Sequence, residues 1–249
     1  MKNTIIATIP LLVLMTFTSF KNEVIPEPIA VIELFTSQGC SSCPAADRLL
    51  SKTMADVKKN GQKIFALSFH VDYWNYLGWA DPFSRAEFTK RQRAYISKLN
   101  VSSAYTPQMV INGATEFIGS DEKALGNALR NSLTIKSLVN FKTLTFSSEP
   151  GKAPHLKYEL DGNFGGSKLN FALVSVSETT NVTRGENAGR VLSSENVVYE
   201  FVSIQAAAYG EFDFTTSHVP ANDKLAIIAY VQQADNLKII GAGMATRTL

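Results

Sequence analysis

Cys40 and Cys43, separated by Ser41 and Ser42, are the strongest chemical signal in this chain. Pro44 follows them, and a proline fits the first turn of a helix, where its missing N–H is not needed. A thiol at a helix start faces unpaired backbone N–H groups and the positive end of the dipole. Both favour the thiolate and lower its pKa. The second thiol, one turn in, can close a disulfide or resolve a mixed one. On this placement Cys40 is the expected nucleophile and the better exposed of the two. A CxxC between a strand and a helix, followed by a second strand, reads as a redox dithiol. An inert structural disulfide is a second reading. Half of a metal site is a third, with His70, His155 and His218 as the available imidazoles.

Three further groups fall near the same place. Thr106-Pro107 precedes a short strand. A cis bond there would hold the Thr106 backbone open to an extended substrate chain, and a trans proline at a strand start is the commoner alternative. His70-Val71-Asp72 ends the second strand, at the sheet edge where ligands of open α/β sheets bind. Alternation would put His70 and Asp72 on one face, with the imidazole as a base towards a thiol. Tyr73, Trp74, Tyr76 and Trp79 read as core or rim packing, with Trp74 the candidate ligand contact. Arg184 to Arg190 is a glycine-bearing loop rich in hydrogen-bonding groups, among them Arg184, Glu186, Asn187 and Arg190. It is either a solvated connector or part of the site. In the second case it folds back to the dithiol, where Arg184 or Arg190 pairs with Asp72 or stabilises a thiolate.

The elements that must hold these residues follow from hydrophobic pattern. Val31–Phe35 reads as a buried strand, Cys40 to Asn60-Gly61 as a helix, and Lys63–Val71 as a second strand. That is a βαβ unit with a parallel pair. Pro82 to Leu99 is helical, Gln108–Ile111 and Glu116–Ile118 form a hairpin around Asn112-Gly113, and Ser120 caps a helix from Asp121 to about Leu133. Near residue 140 the character changes. Phe141–Phe146, Leu156–Leu160, Leu169–Val176, Val197–Ile204, Ala226–Gln232 and Leu237–Ile240 read as strands of an antiparallel β-sandwich.

The 249 residues carry 24 basic and 22 acidic side chains, a net charge of +2, which gives no reason to expect nucleic acid or an anionic membrane as partner. Two cysteines exclude a disulfide-rich scaffold. Met1 and Lys2 precede an apolar run from Ile5 to Phe17, the layout of a signal peptide, with an uncleaved anchor or a buried helix as alternatives. Export would place the cysteines where a disulfide persists. The expected organisation is a signal peptide over 1–20, a linker over 21–28, an α/β domain over 29–139 and a β-sandwich over 140–249.

Residues 31–140 resemble thioredoxin-like proteins, through the CxxC at a helix start and the Thr-Pro before a strand. The stretch Phe35 to Asp47 is similar to a secreted bacterial family known as the domain of unknown function number twelve twenty-three. His70–Trp74, Leu77–Trp79, Asp81–Phe83, Arg91–Tyr95, Tyr105–Val110, Gly119–Asp121, Arg184–Arg190 and Asn196–Val198 resemble it too. The resemblance implies a thioredoxin-like core, a cis Thr106–Pro107 bond, and His70 and the 184–190 loop as parts of one site. It implies no established reaction. The expected activity is thiol–disulfide exchange on protein or small-molecule partners, with no cofactor and no resident metal. Cys40, Cys43, His70, Asp72, Thr106 and Pro107 are its expected catalytic set. Trp74, Arg184, Glu186, Asn187 and Arg190 are its expected substrate contacts. The rival from another class is a copper-binding module using Cys40, Cys43 and His70.

Overall fold

The computed structural model describes residues 27–149, 152–215 and 224–248. The expected signal peptide, most of the linker and His218 lie outside the described residues. Among those residues the chain is sheet-rich and mixed, with three α-helices and eleven strands. No helix among them is long and apolar enough to cross a membrane.

The N-terminal half is organised around two parallel strands, β1 (Ala30–Thr36) and β2 (Ile64–His70), with Thr36 opposite His70. Every residue of β1 is buried, because helices cover both of its faces. Helix α1 (Cys43–Asn60) connects the two strands and buries Ala46, Leu50 and Val57 against one face. It stops at Gly61, which takes the left-handed conformation (φ 65°) that a residue without Cβ adopts at no cost. Helix α2 (Ala86–Lys98) covers the other face with Phe88 and Tyr95. It starts at Ala86 rather than at Pro82, because Arg85 is still extended. Strand β3 (Gln108–Ile111) returns antiparallel to β1, and β4 (Thr115–Ile118) follows through the Asn112-Gly113 turn. Both turn residues have positive φ, and a Cβ on Gly113 would lie 1.8 Å from the Leu237 carbonyl oxygen. Helix α3 (Glu122–Ser132) is capped by Asp121, whose Oδ1 accepts the Ala124 N–H at 2.8 Å. Ser120, the expected cap, sits one residue too early.

The strands of the C-terminal half are β5 (Val139–Ser147), β6 (His155–Gly162), β7 (Ser167–Asn181), β8 (Val191–Gln205), β9 (Tyr209–Asp213), β10 (Leu225–Gln233) and β11 (Ile239–Thr248). They do not stand apart from the first half. All eleven strands form one sheet in the order β4-β3-β1-β2-β8-β7-β10-β11-β5-β6-β9. Strand β8 runs parallel to β2, and Ser68 Oγ donates to the Glu195 carbonyl at 2.7 Å. Strands β7 and β10 are buried on both faces. Ala172, Val174, Ile228 and Tyr230 join the core that holds Phe35, Phe69 and Phe88. Phe171, Leu173, Ile227 and Ala229 join a second core with Phe146, Leu156 and Leu160.

Two strands reach further than their apolar stretches. Beyond the core, β7 and β8 keep pairing from Ser177↔Glu195 to Asn181↔Val191. Ser177, Glu178, Ser193, Ser194 and Glu195 hide this extension in the sequence, since no apolar alternation marks it. It delivers the 184–190 loop to the far end of β1.

One buried ion pair ties α2 to the sheet. Glu33 of β1 accepts from Arg91 Nε at 2.6 Å, from Arg91 Nη2 at 2.8 Å and from the Tyr95 hydroxyl at 2.5 Å. The guanidinium lies 4.7 Å from the Phe201 ring centre and 5.6 Å from that of Tyr230, both in the C-terminal half. Removing one partner of a buried pair leaves an uncompensated charge, which costs about 3–5 kcal/mol. Arg91→Ala is therefore expected to lower stability by about that much in urea unfolding. The double replacement Glu33→Leu with Arg91→Met should recover most of the loss. Equal destabilisation by the single and double changes would show that the pair does not carry it.

Candidate functional site

The chain leaves β1 at Thr36, turns through Ser37–Gly39 and enters α1 at the cysteines, which form a Cys40–Cys43 disulfide. The disulfide is covered. Cys40 is 1% exposed and Cys43 is fully buried, so the expected exposure of Cys40 is not what the fold provides. The Ser42 hydroxyl lies 3.3 Å from Cys40 Sγ, and the Thr106 carbonyl oxygen lies 3.9 Å from the same sulfur. Gly39 packs against Trp74 so closely that a Cβ would sit 3.1 Å from the Trp74 Cβ.

Thr106 reaches the sulfur because β3 runs antiparallel to β1, so the start of β3 meets the end of β1. The Thr106–Pro107 bond is cis. Gln92 Nε2 donates to the Tyr105 carbonyl at 2.8 Å, and Trp74 Nε1 donates to Thr106 Oγ1 at 2.8 Å. These two contacts fix the segment from α2 on one side and from the aromatic loop on the other.

Behind the disulfide lies a buried polar cluster. His70 follows from the β1–β2 register, one strand over from Thr36. Its Nδ1 is 2.7 Å from Asp81 Oδ2, and both side chains are sealed from solvent. Asp47 lies one helical turn beyond Cys43, on the same face of α1. Its Oδ2 accepts the Thr36 hydroxyl at 3.2 Å. Burial holds the Asp47 carboxyl protonated up to about 7, with His70, Thr36 and Arg48 opposing the shift. Burial alone would push the His70 pKa down, but the Asp81 carboxylate outweighs it and raises the imidazole above its ordinary value. The same pairing, with N–H bonds from Gln38 and Phe83, overcomes burial and lowers Asp81. A carboxyl that titrates near neutrality beside a disulfide can give or take the proton that thiol chemistry requires.

Asp72 is not part of this cluster. Strand β2 ends at His70, the alternation stops there, and Asp72 Oδ1 accepts the Thr89 hydroxyl at 2.6 Å. Asp81 takes the place expected for Asp72. Sequence reasoning gave Asp47 and Asp81 no role, although Asp47 carries a legible signal: a carboxylate four residues after Cys43, on the buried stripe of Ala46 and Leu50.

The 184–190 loop does reach the dithiol, through different atoms from those expected. Asn187 is buried and its Nδ2 donates to the carbonyls of Gln38 and Cys40, each at 2.9 Å. Glu186 Oε2 accepts the Ser41 N–H at 2.9 Å, and bonding to Ser41 holds its carboxyl below the usual range. Arg190 Nη1 donates to Asn187 Oδ1 at 2.7 Å and so braces the amide. Neither Arg184 nor Arg190 forms an ion pair with Asp72 among the described residues. Gly185, at φ 73°, lets the loop lie against Trp79, where a Cβ would come within 3.2 Å of the tryptophan Cβ. Gln38, also given no role from sequence, is the hub. Its Nε2 donates to Thr180 Oγ1 and its Oε1 accepts from Trp79 Nε1, each at 3.0 Å. Among the described residues no group of three or more His, Cys, Asp and Glu side chains is arranged to hold a metal ion.

The chain belongs to the family described as "Protein of unknown function (DUF1223)", whose model matches residues 31–232. No curated protein matches it. Among solved structures it is similar to an X-ray crystal structure of a protein from Agrobacterium tumefaciens, at 28% identity and a TM-score of 0.66. The likeness covers 89% of this chain and 96% of that one. A domain of the outer membrane lipoprotein Omp28 from Porphyromonas gingivalis matches over 45% of this chain and 89% of its own. The identity is 10% and the TM-score 0.25.

The cluster makes stability depend on pH. Asp47 keeps its proton to about 7 in the native state, against 3.8 for an ordinary aspartate. Between those values the native state binds more protons than the unfolded one, so stability falls as pH rises. At about 1.4 kcal/mol per unit the full effect is on the order of 4 kcal/mol. His70, raised above 6.5, acts with the same sign at higher pH: its contribution is complete below 6.5 and is lost as pH rises through the native value. Asp81, lowered below 3.8, acts oppositely and is lost only as pH falls through its native value. Asp47→Asn removes the first effect and weakens the second, since the Asp47 charge also helps to raise His70. Urea unfolding of that variant should therefore show a flatter stability profile between about pH 4 and 7 than the parent protein. Parallel profiles would mean that Asp47 is ionised throughout.

Proposed function

We propose that this member of the family is an exported thiol–disulfide oxidoreductase, with a thioredoxin-like N-terminal half and a β-sandwich C-terminal half that restricts access to the dithiol. The observation that carries this reading is the Cys40–Cys43 disulfide at the start of α1, with the Thr106 carbonyl beside it. The topology supports it. A βαβ unit bears the cysteines, an antiparallel β3–β4 hairpin and α3 follow, and the strand order is β4-β3-β1-β2. The basic and apolar N-terminal stretch and the disulfide itself support export.

In this reading Cys40 is the exchanging sulfur and Cys43 the resolving one. A partner thiolate attacks Cys40 Sγ, the Cys40–Cys43 bond breaks, and its electron pair leaves on Cys43 Sγ. The partner's second thiol then displaces Cys40, so that the partner is oxidised to a disulfide and the protein reduced to a dithiol. The reverse sequence oxidises the protein. Ser41 and Ser42 place neither charge nor ring between the sulfurs and do not fix the direction. Trp74, Thr106 and Glu186 form the rim that a partner meets. The cover over Cys40 argues against a broad reductase of folded proteins.

Two measurements test this reading. In the reduced Cys43→Ser variant, Cys40 should form a lasting mixed disulfide with 5,5′-dithiobis(2-nitrobenzoate). In Cys40→Ser, Cys43 should react at least about tenfold more slowly, because it is built into the first turn of α1 while Cys40 precedes the helix. Similar rates for the two would leave a structural bridge. The cover is tested by Asn187→Ala, which removes the two bonds to Gln38 and Cys40. Reduction of the disulfide by a protein-sized dithiol should speed up several-fold more than reduction by dithiothreitol. Equal acceleration of both would show that the loop does not select by size.

A further inference from the structure

A cavity of about 330 Å³ opens between α2 and β8, lined by Arg91, Ala94, Tyr95, Phe201, Ser203 and Leu237. Small-molecule sites span about 300–1,000 Å³, with mostly apolar walls and a few placed polar groups. We infer that this cavity binds a small, uncharged aromatic molecule carrying one oxygen acceptor, which takes the outer edge of the Arg91 guanidinium. Nothing in this site depends on the exchange reading of Cys40 and Cys43. Its place on the sheet also sets it apart from them. The cysteines follow the end of β1 at Thr36, whereas Leu237 packs on Gly113 near the start of that strand. There the Asn112 N–H donates to the Val31 carbonyl at 2.9 Å.

The polar group in the cavity is a guanidinium with one edge unpaired. Nε and Nη2 donate to Glu33 at 2.6 and 2.8 Å. Nη2 also donates to Tyr95 Oη at 2.9 Å and to Gln232 Oε1 at 3.2 Å. A planar fork that holds a carboxylate through Nε and Nη2 turns Nη1 away from it. No described residue accepts a hydrogen bond from Nη1. Nor is Nη1 among the sealed polar atoms without a partner. The Arg91 side chain is 14% exposed, so Nη1 is the nitrogen that meets open space. Four rings, of Phe69, Tyr95, Phe201 and Tyr230, surround the guanidinium with their centres 4.7–5.6 Å away. The donor is thus fixed before a ligand arrives, and binding need not order it.

The walls and charges narrow the ligand further. Phe201 and Leu237 are apolar, and the Tyr95 hydroxyl is already bound to Glu33 at 2.5 Å, so only its ring is left to a ligand. Glu33 neutralises Arg91, and the exposed Glu87 and Lys90 at the mouth cancel each other. An entering carboxylate would lose its water without meeting net positive charge, whereas a carbonyl oxygen loses far less. Two features keep the space open. Ala94 and Ser203 are small where longer side chains would close it. Leu237 has φ 62°, in the left-handed region that residues with a side chain seldom occupy. Its carbonyl accepts Gln232 Nε2 at 2.6 Å, which pins the strained turn. Strain held in place this way clusters at ligand clamps.

Titration with acetophenone, an aromatic ring bearing one carbonyl, tests the site. The backbone amide resonances of Ala94, Ser203 and Leu237 should shift and saturate. Toluene, which lacks the acceptor, should bind at least about tenfold more weakly, the worth of one hydrogen bond to a charged group. Benzoate should also bind more weakly than acetophenone. Ala94→Trp fills the cavity from an exposed position on α2, and Ser203→Phe fills it from an exposed position on β8. Each should abolish the shifts while leaving the urea midpoint near that of the parent protein, and the two variants guard against a folding fault in either. No saturable shift in the parent protein overturns the inference. Undiminished binding in a folded variant does the same. Toluene or benzoate binding as tightly as acetophenone removes the role of Nη1 and overturns it as well.

Discussion

Asp81 is the residue on which the site depends. One oxygen, Oδ2, takes His70 Nδ1 at 2.7 Å and the Gln38 N–H at 2.8 Å, and the other, Oδ1, takes the Phe83 N–H at 3.0 Å. A carboxylate that accepts three such bonds stays ionised despite burial, since each bond favours the charged form. Its charge raises the His70 pKa against the effect of burial, and its bond to Gln38 braces the turn that carries the chain from β1 into the cysteines. Two requirements, the charge state behind the disulfide and the path of the backbone in front of it, are thus met by one side chain. Neither a neutral amide nor a longer glutamate offers the same pair of oxygens at this depth.

The C-terminal half is held to the first by bonds of the same kind, not by a loose linker. Strand β8 extends the sheet beyond β2, and Arg91 of α2 packs between the rings of Tyr95 and Phe201. That rigid seam explains how a hairpin tip far along the sequence can meet a cysteine with hydrogen-bond accuracy. Asn187 and Cys40 are 147 residues apart, yet the amide sits 2.9 Å from the Cys40 carbonyl. A tip on a free-standing domain would lose this contact to small rotations. Here the extended β7–β8 pairing, from Ser177 to Asn181, supplies the stiffness that the reach requires.

The parts legible in the sequence were those with a local cause. The helix after the cysteines, its stop at Gly61, the Asn112-Gly113 turn and the parallel pair all follow from periodicity and turn chemistry within a few dozen residues. The return of the 184–190 loop was legible only from its density of hydrogen-bonding groups. Which of those groups makes the contact was not, because arginines suggest thiolate stabilisation while the geometry uses an amide and a carboxylate. Alternation puts Asp72 on the face of His70, but that rule is valid only while the strand continues, and β2 ends at His70. The burial of Cys40 could not be read at all. It is produced by Thr106, Trp74 and Asn187, each distant in sequence, and a helix-start position ordinarily implies exposure.

That burial alters the electrostatics of the helix start. The Ser41 amide lies just before the N-cap of α1, next to Cys40, and Glu186 occupies it. The Glu186 carboxylate puts a negative charge beside the helix start, which opposes a thiolate at Cys40. Helix α1 carries no acidic residue in its first turn, so the dipole itself is not opposed from within the helix. On the proposed exchange reading, moving Glu186 away from Ser41 removes a like charge from beside a Cys40 thiolate.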